Sequence, residues 1–155
     1  MDTCYLQVTV SDGIKVAGTG RPAMGRSRER RSECPIATSL DLLGDRWTLV
    51  SISDLLVGKG HFGDLLASRE AITTSVLTDR LEQMESAGLI SRRAYSQKPQ
   101  RFEYRLTSAG RALLPVLQDL CRWAGEHLEG TMQPPMGFMD FSLDRPLPGE
   151  VTPRS

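Results

Sequence analysis

The chain is poor in the residues that catalysis, metal binding or secretion would require. Its 155 residues include only three cysteines, Cys4, Cys34 and Cys121, an odd number at long spacings that suggests neither a disulfide framework nor a CxxC metal knuckle. The two histidines, His61 and His127, have no partner at ligand spacing, so no metal site is expected. A glycine-rich phosphate loop, a nucleophile elbow and a spaced acid pair are all missing, so the chain is expected to have no catalytic residues, to bind no cofactor and not to be an enzyme. No apolar run approaches the roughly 18 residues of a membrane span, and residues 1–23 lack a charged start followed by an apolar stretch. A reducing, cytoplasmic location fits this composition best.

A surplus of either charge is missing too, since 19 Lys and Arg balance 19 Asp and Glu. Neutrality argues against nucleic acid only if the charges are evenly spread, so their distribution decides. Residues 1–33 hold six basic and four acidic side chains, residues 34–128 eleven of each, and residues 129–155 two and four. In the central segment the acids come early, at Asp41, Asp45, Asp54 and Asp64, whereas Arg92, Arg93, Lys98, Arg101 and Arg105 cluster with only Glu103 among them. The basic footprint is local. The length suits one domain with a real core plus tails, not comfortably two.

What is present is a strong pattern between Pro35 and Leu128. Ile36, Leu40 and Leu43 recur at helical spacing behind Pro35, which suits a first helical turn, and Gly44 breaks the run. Asp45 is placed to cap a second helix that is apolar nearly all round, through Trp47, Leu49, Val50, Ile52, Leu55 and Leu56, and that Gly58 ends. This helix should be the buried centre. A short third helix fits 62–68. Thr73 caps a fourth, in which Leu77, Leu81 and Met84 are spaced four and three, with Gly88 as its stop. Two strands follow at 89–95 and 102–106, with Pro99 marking the turn; in the second, Phe102, Tyr104 and Leu106 share one face and Glu103 and Arg105 the other. Thr107 caps a last long helix to about His127, kinked at Pro115, with Leu113, Leu117, Leu120, Ala124 and Leu128 along one side and Leu114 and Cys121 beside them.

The ends are less patterned. Residues 1–33 alternate weakly, finish in a basic run at 26–31 and read as a mobile arm, within which Met24 is a candidate natural start of translation, to be tested by the N-terminal mass of the native protein. Residues 129–155 carry five prolines and no periodicity. They read as a tail, able to drape on a partner through Phe138, Met139 and Phe141.

The order helix, then cationic ribbon, carries a functional expectation. A helix that opens on small polar side chains and is followed at once by a basic hairpin can place hydrogen-bonding groups in a DNA major groove and positive charge on the flanking phosphates. At about 100° per residue, the face opposite the apolar stripe holds Ser75, Thr78, Asp79 and Glu82, with Arg80 on its flank. Candidate contacts to double-stranded DNA are therefore Thr73, Thr74, Ser75, Thr78, Asp79 and Arg80 on the helix, and Lys98, Gln100 and Arg101 at the hairpin tip. Asp79 either accepts from a cytosine amino group or lies on the protein side, and Arg80 either grips a phosphate or pairs with an acid of the fold. Arg92 and Arg93 point to opposite sheet faces and cannot both serve DNA. The competing reading is a protein–protein interaction module, for which the acidic Asp79 and Glu82 are the best argument.

Several segments together resemble one family. They are Cys34-Pro35, Leu40 to Trp47 with its Gly44-Asp45-Arg46-Trp47 element, Phe62-Gly63-Asp64-Leu65, Leu77-Thr78-Asp79-Arg80-Leu81, Gly88-Leu89-Ile90, and Tyr104 to Gly110. In this order they look like the HxlR-type winged helix-turn-helix regulators of the MarR-like superfamily, over about residues 34 to 128. The resemblance implies an α+β, mainly helical fold: a winged helix-turn-helix with a two-stranded wing and a long terminal dimerisation helix. It also implies homodimers that bind short inverted repeats near promoters and so regulate transcription, as a repressor by first expectation. The expected dimer residues are Leu113, Leu117, Leu120, Cys121, Trp123 and Ala124. Where many relatives have a basic or amide residue early in the recognition helix, this chain has Ser75.

Cys34 is a candidate redox sensor. It precedes a helix start, where the helix dipole and the basic run at 26–31 would favour the thiolate. An oxidant or a small molecule is thus the candidate effector. A buried, inert thiol is the competing reading.

Overall fold

The computed structural model describes residues 32–143. Most of the expected arm, with Cys4, Met24 and the basic run, lies outside the described residues, as does the chain from 144 on. The elements are α1 (Pro35–Leu43), α2 (Thr48–Leu56), α3 (Phe62–Leu66), α4 (Thr74–Ser86), β1 (Ile90–Gln97), β2 (Gln100–Leu106), α5 (Ser108–Arg111), α6 (Leu114–His127) and a 3-10 turn at Phe138–Asp140. As the sequence predicts, α2 is the centre: Ile52 and Leu56 are fully buried and pack in one cluster with Leu65, Leu77, Leu81, Met84, Ile90 and Leu114.

Local chemistry sets the boundaries of the helices around it. Asp45 Oδ1 accepts from the amides of Trp47 and Thr48 at 2.8 and 3.0 Å, satisfying donors the first turn of α2 leaves open. Thr73 caps α4 by accepting from the Val76 amide. At the other end Gly88, with φ of 73°, reverses the chain while the Leu89 amide returns to Met84 O at 2.9 Å. That is a Schellman stop, and it aims the chain directly into β1.

The two strands pair antiparallel from Ile90↔Leu106 to Gln97↔Gln100, with a bulge that leaves Tyr95 unpaired and a cis Lys98–Pro99 peptide in the turn. Both run further toward the tip than the apolar alternation implies, because Ser96, Gln97, Gln100 and Arg101 form ladder pairs without burying side chains. The sheet also gains a short third element. His61 bridges Glu103, and Tyr104 N donates to Gly60 O at 2.7 Å, which ties the wing to the start of α3.

Two expectations need correction, and one helix sits at the edge of the core. The single long helix after Thr107 is two helices, α5 and α6, because Pro115 falls in the first turn of α6, where a missing N–H costs nothing, rather than in a helix interior. Helix α1 meets the core only through Leu42 and Leu43: none of its residues is buried, and Ile36 and Leu40 are 67% and 57% exposed. Residues 131–143, read as part of a tail, lie against the domain instead. Phe138 is 3% exposed within the core cluster, and Gln118 Nε2 lies 3.0–3.3 Å from the carbonyl oxygens of Phe138, Met139 and Phe141.

Candidate nucleic-acid interface

Helix α4 turns Leu77, Leu81 and Met84 inward and leaves Thr73, Thr74, Ser75, Thr78, Asp79 and Glu82 exposed. The turn before it is tight. Ala71 takes φ of 53°, an uncommon conformation for a residue with a side chain, while Ile72 is buried and Thr73 caps the helix. Thr78 Oγ1 donates to Thr74 O at 2.9 Å, so its hydroxyl proton is used within the helix while its methyl and remaining lone pair stay available.

Arg80 faces inward. Its Nη1 lies 3.4 Å from Asp45 Oδ2 and 2.8 Å from Gln83 Oε1, and its Nε is buried without a partner. Of the two options the sequence leaves for Arg80, the structure takes the pair with an acid of the fold.

The wing sorts its cations in the same way. Arg92 pairs with Glu85 at 3.1 Å and stacks 4.9 Å from the Phe102 ring, and Arg105 is held by Glu103 at 3.1 Å. Neither belongs to an open basic face. Among the described residues, Arg93, Lys98 and Arg101 are exposed cations without an ion pair, and Gln100 is exposed beside them at the tip. Sequence reasoning left Arg93 undecided because charge alone does not say which of two adjacent arginines meets an acid on α4. Arg46 was also passed over: it is well exposed, lies over the Trp47 ring and sits 3.9 Å from Glu70 in the turn before α4.

The expected dimer residues divide. Leu117 is buried in the chain's own core, Leu113 and Cys121 pack against that core, and Ala124 is half-buried. Leu120 and Trp123 point outward, 46% and 54% exposed, and continue a stripe that includes Val116 at spacings of four and three. Helix α6 thus carries two apolar stripes, one spent internally. Burial pushes the Cys121 thiol up from its ordinary value, against the pull of Arg122, which makes it a poor nucleophile near neutral pH. Cys34 sits half-buried at the N-terminus of α1, its amide donating to Ser32 Oγ at 3.1 Å.

Burial raises the Asp45 carboxyl, but hydrogen bonds from the Thr48 hydroxyl and the Trp47 and Thr48 amides, with the Arg80 guanidinium, outweigh it and leave the group below the ordinary carboxylate value. A carboxyl depressed in the fold contributes stability above its unfolded pKa, and that contribution is lost as pH falls through the folded value. Asp45→Asn is therefore expected to reduce the stability difference between pH 7 and about pH 3, as measured by urea unfolding at the two pH values. An unchanged difference would sink this assignment.

A polar-faced helix in a helix-turn-helix, followed by an antiparallel wing, defines the class as winged helix-turn-helix. The chain belongs to the HxlR family: the HxlR-like helix-turn-helix family model matches residues 42–132. It is similar to an uncharacterized HTH-type transcriptional regulator of Synechocystis sp., 38% identical over 96 residues, 62% of this chain and 71% of that protein. A second such regulator, from Mycobacterium bovis, is 38% identical over 101 residues, 65% of this chain and 63% of that protein. Among solved structures, the redox regulator HypR in its oxidized form superposes with a TM-score of 0.57 at 30% identity, covering 62% of this chain and 99% of HypR. The reduced form of the transcriptional regulator YodB from Bacillus subtilis gives 0.54 at 28% identity, covering 65% and 100%. The chain is a transcriptional regulator with a helix-turn-helix domain. No helix among the described residues is long and apolar enough to cross a membrane.

Proposed function

We propose that the chain binds an inverted-repeat operator as a homodimer and represses transcription by occupying it. The observation that carries this reading is the pairing of an exposed polar face on α4 with a wing tip whose Lys98 and Arg101 meet no acid among the described residues. Thr73, Thr74, Ser75, Thr78 and Asp79 then face base edges and phosphates at the major groove, while Lys98, Gln100 and Arg101 hold the flanking backbone or reach the adjacent minor groove. Two recognition helices related by the dimer axis would enter successive major grooves about 34–36 Å apart. The outward apolar stripes of α1 and α6 supply the dimer surface, and residues 34–128 form the DNA-binding and dimerisation unit. Cys34 is the candidate oxidant sensor; the similarity to a protein described as a redox regulator supports the idea.

The test is titration of promoter-proximal DNA, then of a genomic library, against salt and competitor, with and without a mild oxidant. Competitor-resistant binding is expected. Lys98→Glu with Arg101→Glu should abolish it at moderate salt, and conservative neutralisation should lower the logarithmic salt slope by about 0.9 for each phosphate left un-neutralised. Loss of binding under oxidant that disappears in Cys34→Ser is the outcome expected of a sensor. A mild effect of charge reversal, with no specific complex across the library, would instead favour a protein-interaction module using Asp79 and Glu82.

A further inference from the structure

We propose that Arg80 is a positioning residue rather than a DNA contact, and that with Asp45 it forms a lock fixing the recognition helix to the start of α2. The proposal rests on the operator-binding reading and assigns one of its residues a different task.

Asp45 is held firmly. Its carboxylate accepts from the amides of Trp47 and Thr48 and from the hydroxyl of Thr48, and its Oδ2 forms an ion pair with the Arg80 guanidinium at 3.4 Å. Its rotamer is therefore set by the first turn of α2, with Thr48 itself 3% exposed. A carboxylate fixed in this way gives the Arg80 guanidinium a fixed counter-charge to pair with. On the α4 side, Gln83, one turn further along the same helix, holds the same Nη1 at 2.8 Å, so the guanidinium is gripped from both helices.

The alternative is that Arg80 swings out to a phosphate when DNA arrives. That movement would leave the Asp45 carboxylate, 26% exposed, without its counter-charge beside an arriving polyanion. It would also break the ion pair with Asp45 and the hydrogen bond to Gln83. The buried Nε, which has no partner in the inward position, is the cost the lock sustains. Bonds to charged groups are roughly twice as strong as neutral ones, which is what holds such a side chain inward.

Helix placement matters unequally to the two kinds of contact. Base readout tolerates displacements of only about 0.5 Å or 10–20°, whereas attraction to phosphates extends over roughly 8–10 Å of Debye length. A loosened α4 should thus lose discrimination before it loses general affinity. This separates a positioning residue from a phosphate contact.

The experiment measures operator and competitor binding of the full-length protein across a salt series for wild type, Arg80→Met, Arg80→Lys, Asp45→Asn and the Arg80→Met/Asp45→Asn double variant. Arg80→Met is expected to lower the operator-to-competitor ratio about tenfold, the worth of one good base contact, with an unchanged salt slope. Asp45→Asn should do the same, the double variant should be no worse than the poorer single one, and Arg80→Lys should restore most of the ratio. A slope reduced by about 0.9 per protomer, with equal weakening on operator and competitor, would make Arg80 a phosphate contact and overturn the lock. Additive losses in the double variant would overturn it as well.

Amide hydrogen exchange on the free protein judges the lock without DNA. Arg80→Met should speed exchange of the Trp47 and Thr48 amides, which Asp45 holds, while the core of α2 at Ile52 stays protected. Unchanged exchange at those two amides defeats the proposal. If wild type has no specific DNA site, the operator reading fails alone and this second measurement still decides whether the two helices are locked.

Discussion

Leu120→Glu combined with Trp123→Glu is expected to leave the protein monomeric and to weaken operator binding about 10²–10⁴-fold, the scale at which two linked half-site contacts exceed one. Light scattering at several protein concentrations, followed by operator titration, checks both parts. The expectation follows from where the apolar residues of α6 point. Leu114 and Leu117 are consumed by the chain's own core, whereas Val116, Leu120 and Trp123 face outward on a different side of the helix, and His127 stacks on Trp123 at 5.3 Å. Ile36 and Leu40 on α1 are exposed as well, and clustered exposed apolar side chains mark interaction sites where single ones do not.

Two carboxylates there would be buried unpaired on association, each removing attraction and adding a desolvation cost. They cost a monomer little, since both side chains are already half in water. A double variant that remains dimeric would mean that the outward stripe of α6 is not the contact. A variant that is monomeric but still binds its operator with full affinity would sink the symmetric two-half-site reading.

The parts legible in the sequence were those written in local chemistry. Thr73, Gly88 and Thr107 each perform in the structure the capping task that their residue type implies, since a cap depends on neighbours within a few positions. The fourth helix and its inward stripe are legible for the same reason. Pro115 misled because apolar spacing continues through Leu113 and Leu117, so periodicity alone joins α5 to α6. A further constraint is invisible to periodicity: a Cβ on Gly110 would lie 2.1 Å from Leu89 O, so α5 packs its backbone against the chain just before β1. The pairing of Asp45 with Arg80 was open at the sequence level, because 35 positions separate them and only the fold brings the turn before α2 against α4. The bridge at His61 was missed because one ladder pair has no alternation to detect.

The fate of the expected tail leads to the second large effect. Phe138→Ala is expected to destabilise the protein by about 3–5 kcal/mol, the usual range for truncating a buried aromatic, whereas Met136→Ala, two residues away and fully exposed, should change nothing measurable. Urea unfolding at matched protein concentration distinguishes the two variants, concentration being held fixed because a dimer's stability depends on it. The sequence around Phe138 has no period, since it is a loop that returns to the core rather than an amphipathic element. Its attachment instead combines Phe138 as an apolar anchor, Phe141 edge-on to it at 6.1 Å, and the Gln118 amide close to three of the segment's carbonyls. Because Gln118 projects from α6, the segment restrains the same helix that presents Leu120 and Trp123 outward. Phe138→Ala should accordingly also loosen the dimer, and Gln118→Ala should do so to a smaller degree. A silent Phe138→Ala would return residues 131–143 to the status of a tail and leave α6 anchored by Leu114, Leu117 and Cys121.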